Sequence, residues 1–306
     1  MTQQNEQTTA IRVTREARGR VTGDGIELAF GYWPGRGAPV VALHGLTASY
    51  VNFIGISERL AGRSPLLGLD LRGRGDSDKP QGPYGFAQHA RDVAAAMRAM
   101  KLGPSVIIGH SMGGFVAAAL AAQEPALVSA LVLIDGGYLP SISGAAPNES
   151  LNAALAERVT QLTQTFPSRQ AYREHWRAKP HFPPADWNQW AEAFLDYEVS
   201  GESPVQPKAF QAGVVADLAE GFRRDEMAER LRAIRVPVIL IRAESGFLPD
   251  QPPLFPDALA AQIRELVPQL EDHKIPGTTH YTIVLGERGA STIADLIQGV
   301  VERKKA

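Results

Sequence analysis

The 306-residue sequence contains no cysteine, and its charge is nearly balanced. The lack of cysteine excludes disulfides, thiolate metal ligands and a cysteine nucleophile. With 31 basic and 33 acidic residues, the formal net charge of −2 offers no basic surface for nucleic acid and no acidic tail. No apolar run approaches the roughly 18 residues of a membrane span, and residues 1–10 lack the apolar core of a signal peptide. These absences predict a cytoplasmic protein that acts on a small molecule, without nucleic acid or a membrane as partner, and they leave its oligomeric state open.

A succession of short, nearly unbroken apolar runs is present instead, separated by stretches of helical periodicity. The apolar runs are Pro39–Leu43, Pro65–Leu69, Ser105–Ile108, Leu127–Ile134, Val236–Ile241 and Leu270–Ile275. Helical periodicity marks Phe86–Met100 and Met112–Gln123. Unbroken apolar strands that alternate with helices are typical of a parallel sheet covered on both faces. The sequence therefore predicts a doubly wound α/β domain, preceded by an antiparallel strand pair within Ile11–Tyr32.

The alternation of strands and helices is interrupted over residues 139–235, which are rich in proline and aromatic residues. We interpret this stretch as an α-helical cap subdomain inserted into a core domain formed by residues 11–138 and 236–306. Residues 1–10 are predicted to be a disordered tail. We expect most aromatic side chains of the cap to form its own small core and a minority to line an apolar pocket. These side chains are Tyr172, Trp176, Phe182, Trp187, Trp190, Phe194 and Tyr197.

The motif with the clearest chemistry is Gly109-His110-Ser111-Met112-Gly113, which matches G-x-S-x-G between a predicted strand and a predicted helix. The chain must turn so sharply there that Ser111 takes a strained backbone conformation, and the two glycines remove side chains that would clash. The serine hydroxyl is then exposed beside a helix N-terminus, which stabilises negative charge. Ser111 is therefore the predicted nucleophile.

Acyl transfer requires two N–H donors that point at the developing oxyanion. The turn supplies one from Met112, the residue after the nucleophile. The loop after the strand Val40–Leu43 supplies the other, which we assign to Leu46 in the stretch His44-Gly45-Leu46-Thr47. A histidine before such a turn more often braces the loop than acts as a base, so we assign no proton transfer to His44.

A general base must reach Ser111 from a loop at the same edge of the sheet. The loop Gly277–Tyr281 follows the last apolar run and precedes a helix predicted over about Ala290–Arg303. Of the seven histidines in the chain, only His280 occupies such a place. His280 is the predicted base.

With these motifs the chain resembles the α/β-hydrolase superfamily from about residue 15 to residue 303. The resemblance rests on His44-Gly45, Asp70–Ser77, the turn over residues 109–113, and His280. It implies a mostly parallel, eight-stranded sheet with a helical cap. A serine at position 111 distinguishes the chain from the haloalkane dehalogenases and epoxide hydrolases, whose nucleophile is an aspartate. In the Asp70–Ser77 stretch we expect Arg72 to anchor neighbouring carbonyls or carboxylates.

The resemblance leaves the acid of the catalytic triad open. Relatives usually carry an aspartate a few residues after the strand that is read here as Val236–Ile241, but this chain has Gly246 at the expected position. Some relatives carry the acid at the end of the preceding strand, where Asp135 lies in this sequence. We favour Asp135, with Glu244 as the main alternative, and Asp250 or no acid at all as the remaining ones.

The predicted function is that of a serine hydrolase that cleaves a small-to-medium carboxylic ester or lactone through an acyl-enzyme. Ser111 is the nucleophile, His280 the base and Asp135 the acid, with the N–H groups of Leu46 and Met112 as the oxyanion hole. A carbon–carbon bond hydrolase, an amide hydrolase and a slow, hydrolase-derived ligand receptor are the alternatives, because the fold does not choose among them. No G-x-G-x-x-G stretch or pair of metal-spaced histidines is present, so no cofactor and no metal are predicted.

Overall fold

The computed structural model describes residues 16–138, 156–221 and 223–303. The predicted tail over residues 1–10 and the first part of the predicted cap, residues 139–155, lie outside the described residues. Within the described ranges, the sheet strands are β1 (Ala17–Thr22), β2 (Glu27–Trp33), β3 (Val40–Leu43), β4 (Leu66–Leu69), β5 (Ser105–His110), β6 (Val128–Ile134), β9 (Val238–Ala243) and β10 (Leu270–Ile275). A separate two-stranded pair is formed by β7 (Val199–Ser200) and β8 (Gln206–Pro207).

The α-helices of these ranges are α1 (Ile54–Leu60), α2 (Phe86–Ala99), α3 (Met112–Gln123), α4 (Arg169–Arg177), α5 (Gln189–Glu198), α6 (Gln211–Gly221), α7 (Arg224–Ala233), α8 (Asp257–Leu266), α9 (Thr282–Leu285) and α10 (Glu287–Arg303). Residues 156–161 are also helical. Short 3-10 helices cover Tyr50–Phe53, Pro125–Leu127 and Pro184–Asp186.

The eight-stranded sheet has the order β1-β2-β4-β3-β5-β6-β9-β10. Strand β2 is antiparallel to both of its neighbours, and the strands from β4 to β10 pair in parallel. Each predicted apolar run forms one of these strands, so the predicted mostly parallel, eight-stranded α/β fold is confirmed. Because parallel strands end at the same edge, the loops after β3, β5, β6, β9 and β10 meet at the carboxyl edge of the sheet, where open α/β folds place their ligands.

Helices cover both faces of the sheet. Alternate residues of a strand point to opposite faces: Val41 and Leu43 of β3 pack in the layer with α2 and α3, whereas Val40 and Ala42 pack in the layer with α1 and α10. Every residue of β3, β4, β5 and β6 is buried. Burial on both faces explains why these strands are apolar without alternation. None of the described helices is both long and apolar enough to cross a membrane.

We call residues 156–221, between β6 and β9, the inserted segment. Tyr172, Trp176, Phe182 and Trp187 pack against one another in that order, and several aromatic side chains of the segment also contact the core domain. The indole nitrogen of Trp190 donates to Glu58 of α1 at 3.0 Å, and the Tyr197 hydroxyl donates to Asp70 at 2.7 Å. Trp176 and Phe182 likewise pack against Tyr281, with ring centroids 5.9 and 5.7 Å apart. The helices α4, α5 and α6 of the segment are only 9–11 residues long, and their large rings are buried in part against the rest of the chain.

The helix that follows the inserted segment belongs by its packing to the sheet. The buried side chains of Met227 and Leu231 on α7 lie in the same apolar layer as α3. The predicted boundary of the cap at residue 235 includes this helix, whereas its contacts are with the sheet's helical layer.

Candidate active site

Ser111 lies between β5 and α3 in a conformation that is rare for a residue with a side chain, with φ of 54° and ψ of −121°. Its neighbours explain how this turn is accommodated. A Cβ atom on Gly109 would lie 2.3 Å from the carbonyl oxygen of Gly113, and one on Gly113 would lie 1.9 Å from that of Leu43. Glycine at both positions therefore lets the start of α3 approach β3 and β5 closely enough to form the predicted turn.

The loop after β3 passes directly beside Ser111. A Cβ atom on Gly45 would lie 3.3 Å from the Cβ atom and 3.7 Å from the Oγ atom of Ser111. Leu46 follows Gly45, and Met112 is the first residue of α3. The loop that carries Leu46 thus passes beside Ser111, and Met112 follows Ser111 directly in the chain.

His280 and Asp135 meet at the carboxyl edge of the sheet, 145 residues apart in sequence. The Nδ1 atom of His280 lies 2.6 Å from Oδ2 of Asp135, and both side chains are buried. The other carboxylate oxygen of Asp135 accepts a hydrogen bond of 3.2 Å from the Ala243 amide. Asp135 itself has φ of 44°, at the turn that follows β6. A buried carboxylate on Nδ1 fixes the imidazole so that Nε2 carries the lone pair that a base requires.

The alternative acids have other partners or none among the described residues. The Oε2 atom of Glu244 accepts a hydrogen bond of 2.8 Å from the Gly277 amide, in an exposed position. The carbonyl of Gly246, at the position where relatives carry aspartate, accepts one of 2.9 Å from the His280 amide. Asp250 is exposed. The loop after β9 therefore holds the histidine loop through its backbone and through Glu244, while Asp135 contacts the imidazole.

His110 holds the backbone of His280 from inside the turn. Its Nε2 atom donates to the His280 carbonyl at 2.9 Å, and its Nδ1 atom accepts from the Asn52 side-chain amide at 3.1 Å. Burial, together with the nearby His280, keeps the pKa of His110 well below its ordinary value, so the ring is neutral. Asn52 was not singled out from the sequence, because an asparagine in a short 3-10 helix carries no motif.

The prediction that His44 braces its loop is confirmed. Its Nδ1 atom donates to the Gly45 carbonyl at 2.7 Å, and its Nε2 atom accepts from the Leu71 amide at 2.9 Å. Burial lowers the pKa of His44 to about 3, so the ring is neutral and holds this tautomer. Arg72 likewise anchors a carboxylate as expected, with two hydrogen bonds of 2.7 Å to Asp92.

The inserted segment brings a cation to the loop that follows β3. Two nitrogens of Arg158, Nε and Nη2, lie 3.1 and 2.5 Å from Oγ1 of Thr47. The guanidinium lies 4.6 Å from the centre of the Trp176 ring and 4.0 Å from Glu198. Burial raises the pKa of the Glu198 carboxyl to about 7. No local sequence signal identifies Arg158, since its role depends on a contact 111 residues away.

Two aromatic rings lie beside His280. The Phe247 ring lies 4.8 Å from the His280 ring, and the Tyr281 ring lies 5.9 Å from it. Within the described ranges, no three His, Asp or Glu side chains cluster closely enough to hold a metal ion. The site thus holds the His280–Asp135 pair near the turn at Ser111, with two aromatic rings beside the imidazole.

Comparison with known proteins shows which family the chain resembles. Residues 38–287 match the family model described as the alpha/beta hydrolase fold. A stretch of 252 residues is 31% identical to 2-(acetamidomethylene)succinate hydrolase of Mesorhizobium japonicum, covering 81% of this chain and 83% of that protein. A stretch of 269 residues is 26% identical to N-formylmaleamate deformylase of Pseudomonas putida, covering 86% and 90%.

The fold is also similar to a solved structure. The crystal structure of E-2-(acetamidomethylene)succinate hydrolase superposes with a TM-score of 0.77 at 26% identity, covering 95% of this chain and all of that one. Together these relatives support a hydrolytic activity. The chain belongs to the α/β-hydrolase family.

Proposed function

We propose that the protein is a serine hydrolase that works through an acyl-enzyme. The observation that carries the proposal is the 2.6 Å contact between Nδ1 of His280 and Oδ2 of Asp135, beside the strained turn at Ser111. Such a pairing orients an imidazole toward a nucleophilic hydroxyl and stabilises the imidazolium that forms. The roles of nucleophile, base and acid fall to Ser111, His280 and Asp135.

The reaction proceeds in two halves. Ser111 Oγ attacks the carbonyl carbon while its proton passes to Nε2 of His280, and the imidazolium then gives that proton to the leaving group. Water next attacks the acyl-enzyme, with His280 as base, and releases the acid and the serine. The N–H groups of Leu46 and Met112 are the proposed donors to the oxyanion in both halves. No step requires a metal ion.

A small ester or lactone is the first candidate substrate. The aromatic side chains of Phe247 and Tyr281 beside His280 favour an apolar acyl or alcohol group near the reacting carbonyl. The alcohol of an ester or lactone is also a better leaving group than the amine of an amide, so the triad needs no further group to cleave esters and lactones.

A carboxylate-bearing amide is the second candidate, favoured by two specific observations. Arg158 brings a partly buried positive charge to the loop beside the proposed oxyanion hole, and guanidinium groups pair well with carboxylates. Two relatives that match most of this chain are named for an acetamido derivative of succinate and for an N-formyl derivative of maleamate. Both named compounds are amides that carry carboxylate groups.

A matched substrate panel separates the candidates. Purified protein is assayed with p-nitrophenyl esters of graded chain length, lactones, a dienone acid, and N-acetyl and N-formyl amides prepared with and without a carboxylate. The account predicts turnover of at least one ester or amide class, and its loss in Ser111→Ala. Turnover of only a dienone acid would instead indicate a carbon–carbon hydrolase, and tight binding without turnover a receptor; either result contradicts the proposed function.

Two arginine variants test the proposed anion preference. Arg158→Gln should raise KM for the carboxylate-bearing substrate at least tenfold and leave KM for a neutral p-nitrophenyl ester within about threefold. Arg177→Gln is the control, because Arg177 also lies over a tryptophan, with its guanidinium 4.5 Å from the Trp187 ring, but is exposed and bonded to Glu192. Equal effects of both variants, or none of either, would contradict a role for Arg158 in substrate binding.

A further inference from the structure

A fully buried arginine, Arg74, joins the two residues proposed to form the oxyanion hole. It lies in the loop after β4. Its Nε atom donates to the Leu46 carbonyl at 2.9 Å, and its Nη2 atom lies 3.9 Å from the sulfur of Met112. Its Nη1 atom donates to the Arg72 carbonyl at 2.9 Å. The guanidinium of Arg74 therefore contacts both Leu46 and Met112, the two residues whose N–H groups are the proposed oxyanion donors.

Hydrogen bonds hold the peptide that carries the Leu46 N–H and the peptide that follows it. His44 donates to the Gly45 carbonyl, and in a trans peptide the following N–H points the opposite way, so this bond sets the direction of the Leu46 N–H. Arg74 fixes the next carbonyl, that of Leu46 itself. The orientation of the proposed donor therefore depends on a histidine within its own loop and on an arginine from the loop after β4.

The charge of Arg74 is balanced from the inserted segment. Its Nη2 atom lies 2.6 Å from Oδ2 of Asp217 on α6, and neither side chain is exposed. Asp217 also accepts from the Gly85 amide at 2.7 Å and contacts Nε2 of His89 at 2.9 Å. Burial acts to raise the pKa of Asp217, but His89 and Arg74 lower it to about 2, so the carboxylate is ionised. Arg74 would be a buried, unpaired charge without α6, which is a costly state.

We propose that Arg74 and Asp217 are positioning residues for the oxyanion hole, and that they couple the seating of the inserted segment to its geometry. This inference rests on the proposed function. With α6 in place, Asp217 holds the guanidinium, and the guanidinium holds the Leu46 peptide against Ser111. A displacement of α6 removes the counter-charge and frees that peptide. The donor is therefore preorganised only when α6 is in place.

The same loop offers a matched control. Arg72 and Asp92 form a second buried arginine–aspartate pair at 2.7 Å, with side chains 3% and 0% exposed. The guanidinium of Arg72 also donates to the Asp24 carbonyl at 3.0 Å, and its hydrogen bonds among the described residues include none to Leu46 or Met112. Loss of either pair should destabilise the fold, but only loss of the Arg74 pair should disturb the proposed hole.

The experiment compares Asp217→Asn and Arg74→Lys with Asp92→Asn. For each variant we would measure the melting temperature, kcat and KM for p-nitrophenyl acetate well below that temperature, and the rate constant for fluorophosphonate labelling of Ser111. Asp217→Asn and Arg74→Lys should lower kcat and the labelling rate constant about 10- to 100-fold and leave KM within about threefold, because the lost stabilisation belongs to the transition state. Asp92→Asn should lower the melting temperature comparably and leave kcat within about threefold.

The outcomes separate this inference from the function on which it rests. Asn is isosteric with Asp, so Asp217→Asn tests the inference even if Arg74→Lys does not fold. Suppose that the probe labels the wild-type protein. An unchanged kcat in Asp217→Asn, or an equal loss of kcat in Asp217→Asn and Asp92→Asn, would then overturn the positioning role and leave the proposed function intact. A wild-type protein that the probe does not label contradicts the proposed function itself, and the positioning role with it.

Discussion

At the scale of single residues, the two carboxylates near His280 have different contacts and should differ in their effect on catalysis. Asp135→Asn keeps the shape of the side chain but favours the wrong imidazole tautomer, so kcat should fall roughly 10²- to 10⁴-fold. Glu244→Gln loses only the charge of a side chain that accepts from the Gly277 amide, so kcat/KM should fall less than about tenfold. Steady-state kinetics of both variants, with their melting temperatures, provide the measurement.

The melting temperatures distinguish a catalytic role of Asp135 from a structural role in the turn. Asp135 lies at a positive φ immediately before Gly136 and also bonds Ala243, so its replacement could act on the turn alone. A variant that loses stability but keeps its kcat would show that Asp135 serves the turn. If kcat fell strongly in Glu244→Gln and stayed near the wild-type value in Asp135→Asn, the assignment of Asp135 as the acid would be wrong.

Glu198 provides a prediction about pH. Burial raises the pKa of its carboxyl from 4.5 to about 7, although Arg158 and the Tyr172 hydroxyl act to lower it. The folded protein therefore holds a proton that the unfolded chain releases near pH 4.5, and this stabilisation is lost as the pH rises toward 7. Between pH 5 and pH 8, wild-type protein should lose about 2 kcal/mol more unfolding free energy than Glu198→Gln.

Urea unfolding at pH 5, 6, 7 and 8 measures this difference. Glu192→Gln is the control, because Glu192 lies on the same helix with its side chain 41% exposed and should follow the wild-type curve. Parallel curves for wild-type protein and Glu198→Gln would show that the carboxyl titrates normally.

At the scale of elements, the approach of α3 to β3 leaves no room for a side chain at Gly113. A Cβ atom there would lie 1.9 Å from a backbone oxygen of Leu43, which cannot move without shifting the strand. Gly113→Ala should therefore lower the free energy of unfolding by about 3 kcal/mol or prevent folding. Gly103→Ala is the control, because a Cβ atom there meets no heavy atom within 4 Å, and it should change stability by less than about 0.5 kcal/mol.

Chemical denaturation of the two alanine variants tests this account of the turn. Similar stabilities for Gly113→Ala and Gly103→Ala would mean that the start of α3 can move away from β3, and that the turn is less constrained than these distances require.

Elements whose pattern is local could be predicted from the sequence, and contacts between distant elements could not. The six apolar runs became strands because burial on both faces leaves a continuous signal in the sequence. The turn at Ser111 was predictable because its glycines are neighbours in sequence. The choice between Asp135 and Glu244 stayed open, because it depends on how the loop that carries His280 crosses the ends of three strands. The contact of Arg158 with Thr47 has no local signal at all.

At the scale of the whole molecule, the inserted segment is tied to the loops that form the candidate site. Arg158 reaches Thr47 after β3, Tyr197 bonds Asp70 after β4, and Asp217 pairs with Arg74 in the same loop. These links all reach loops at the carboxyl edge of the sheet. The loops at the ends of the strands thus carry the proposed nucleophile, base and acid together with Phe247 and Tyr281, and the inserted segment adds the positive charge of Arg158.

The central claim is that Ser111 is a nucleophile activated by its surroundings, and covalent labelling tests it most directly. Wild-type protein, Ser111→Ala and Ser129→Ala are treated with a fluorophosphonate probe, and the adduct is located by mass spectrometry of the peptides. Ser129 is the control, because it is a serine with a buried hydroxyl within β6, away from the turn. The account predicts one adduct, on Ser111, in wild-type protein and in Ser129→Ala, and none in Ser111→Ala. Labelling that persists in Ser111→Ala, or that falls on another residue, would contradict it.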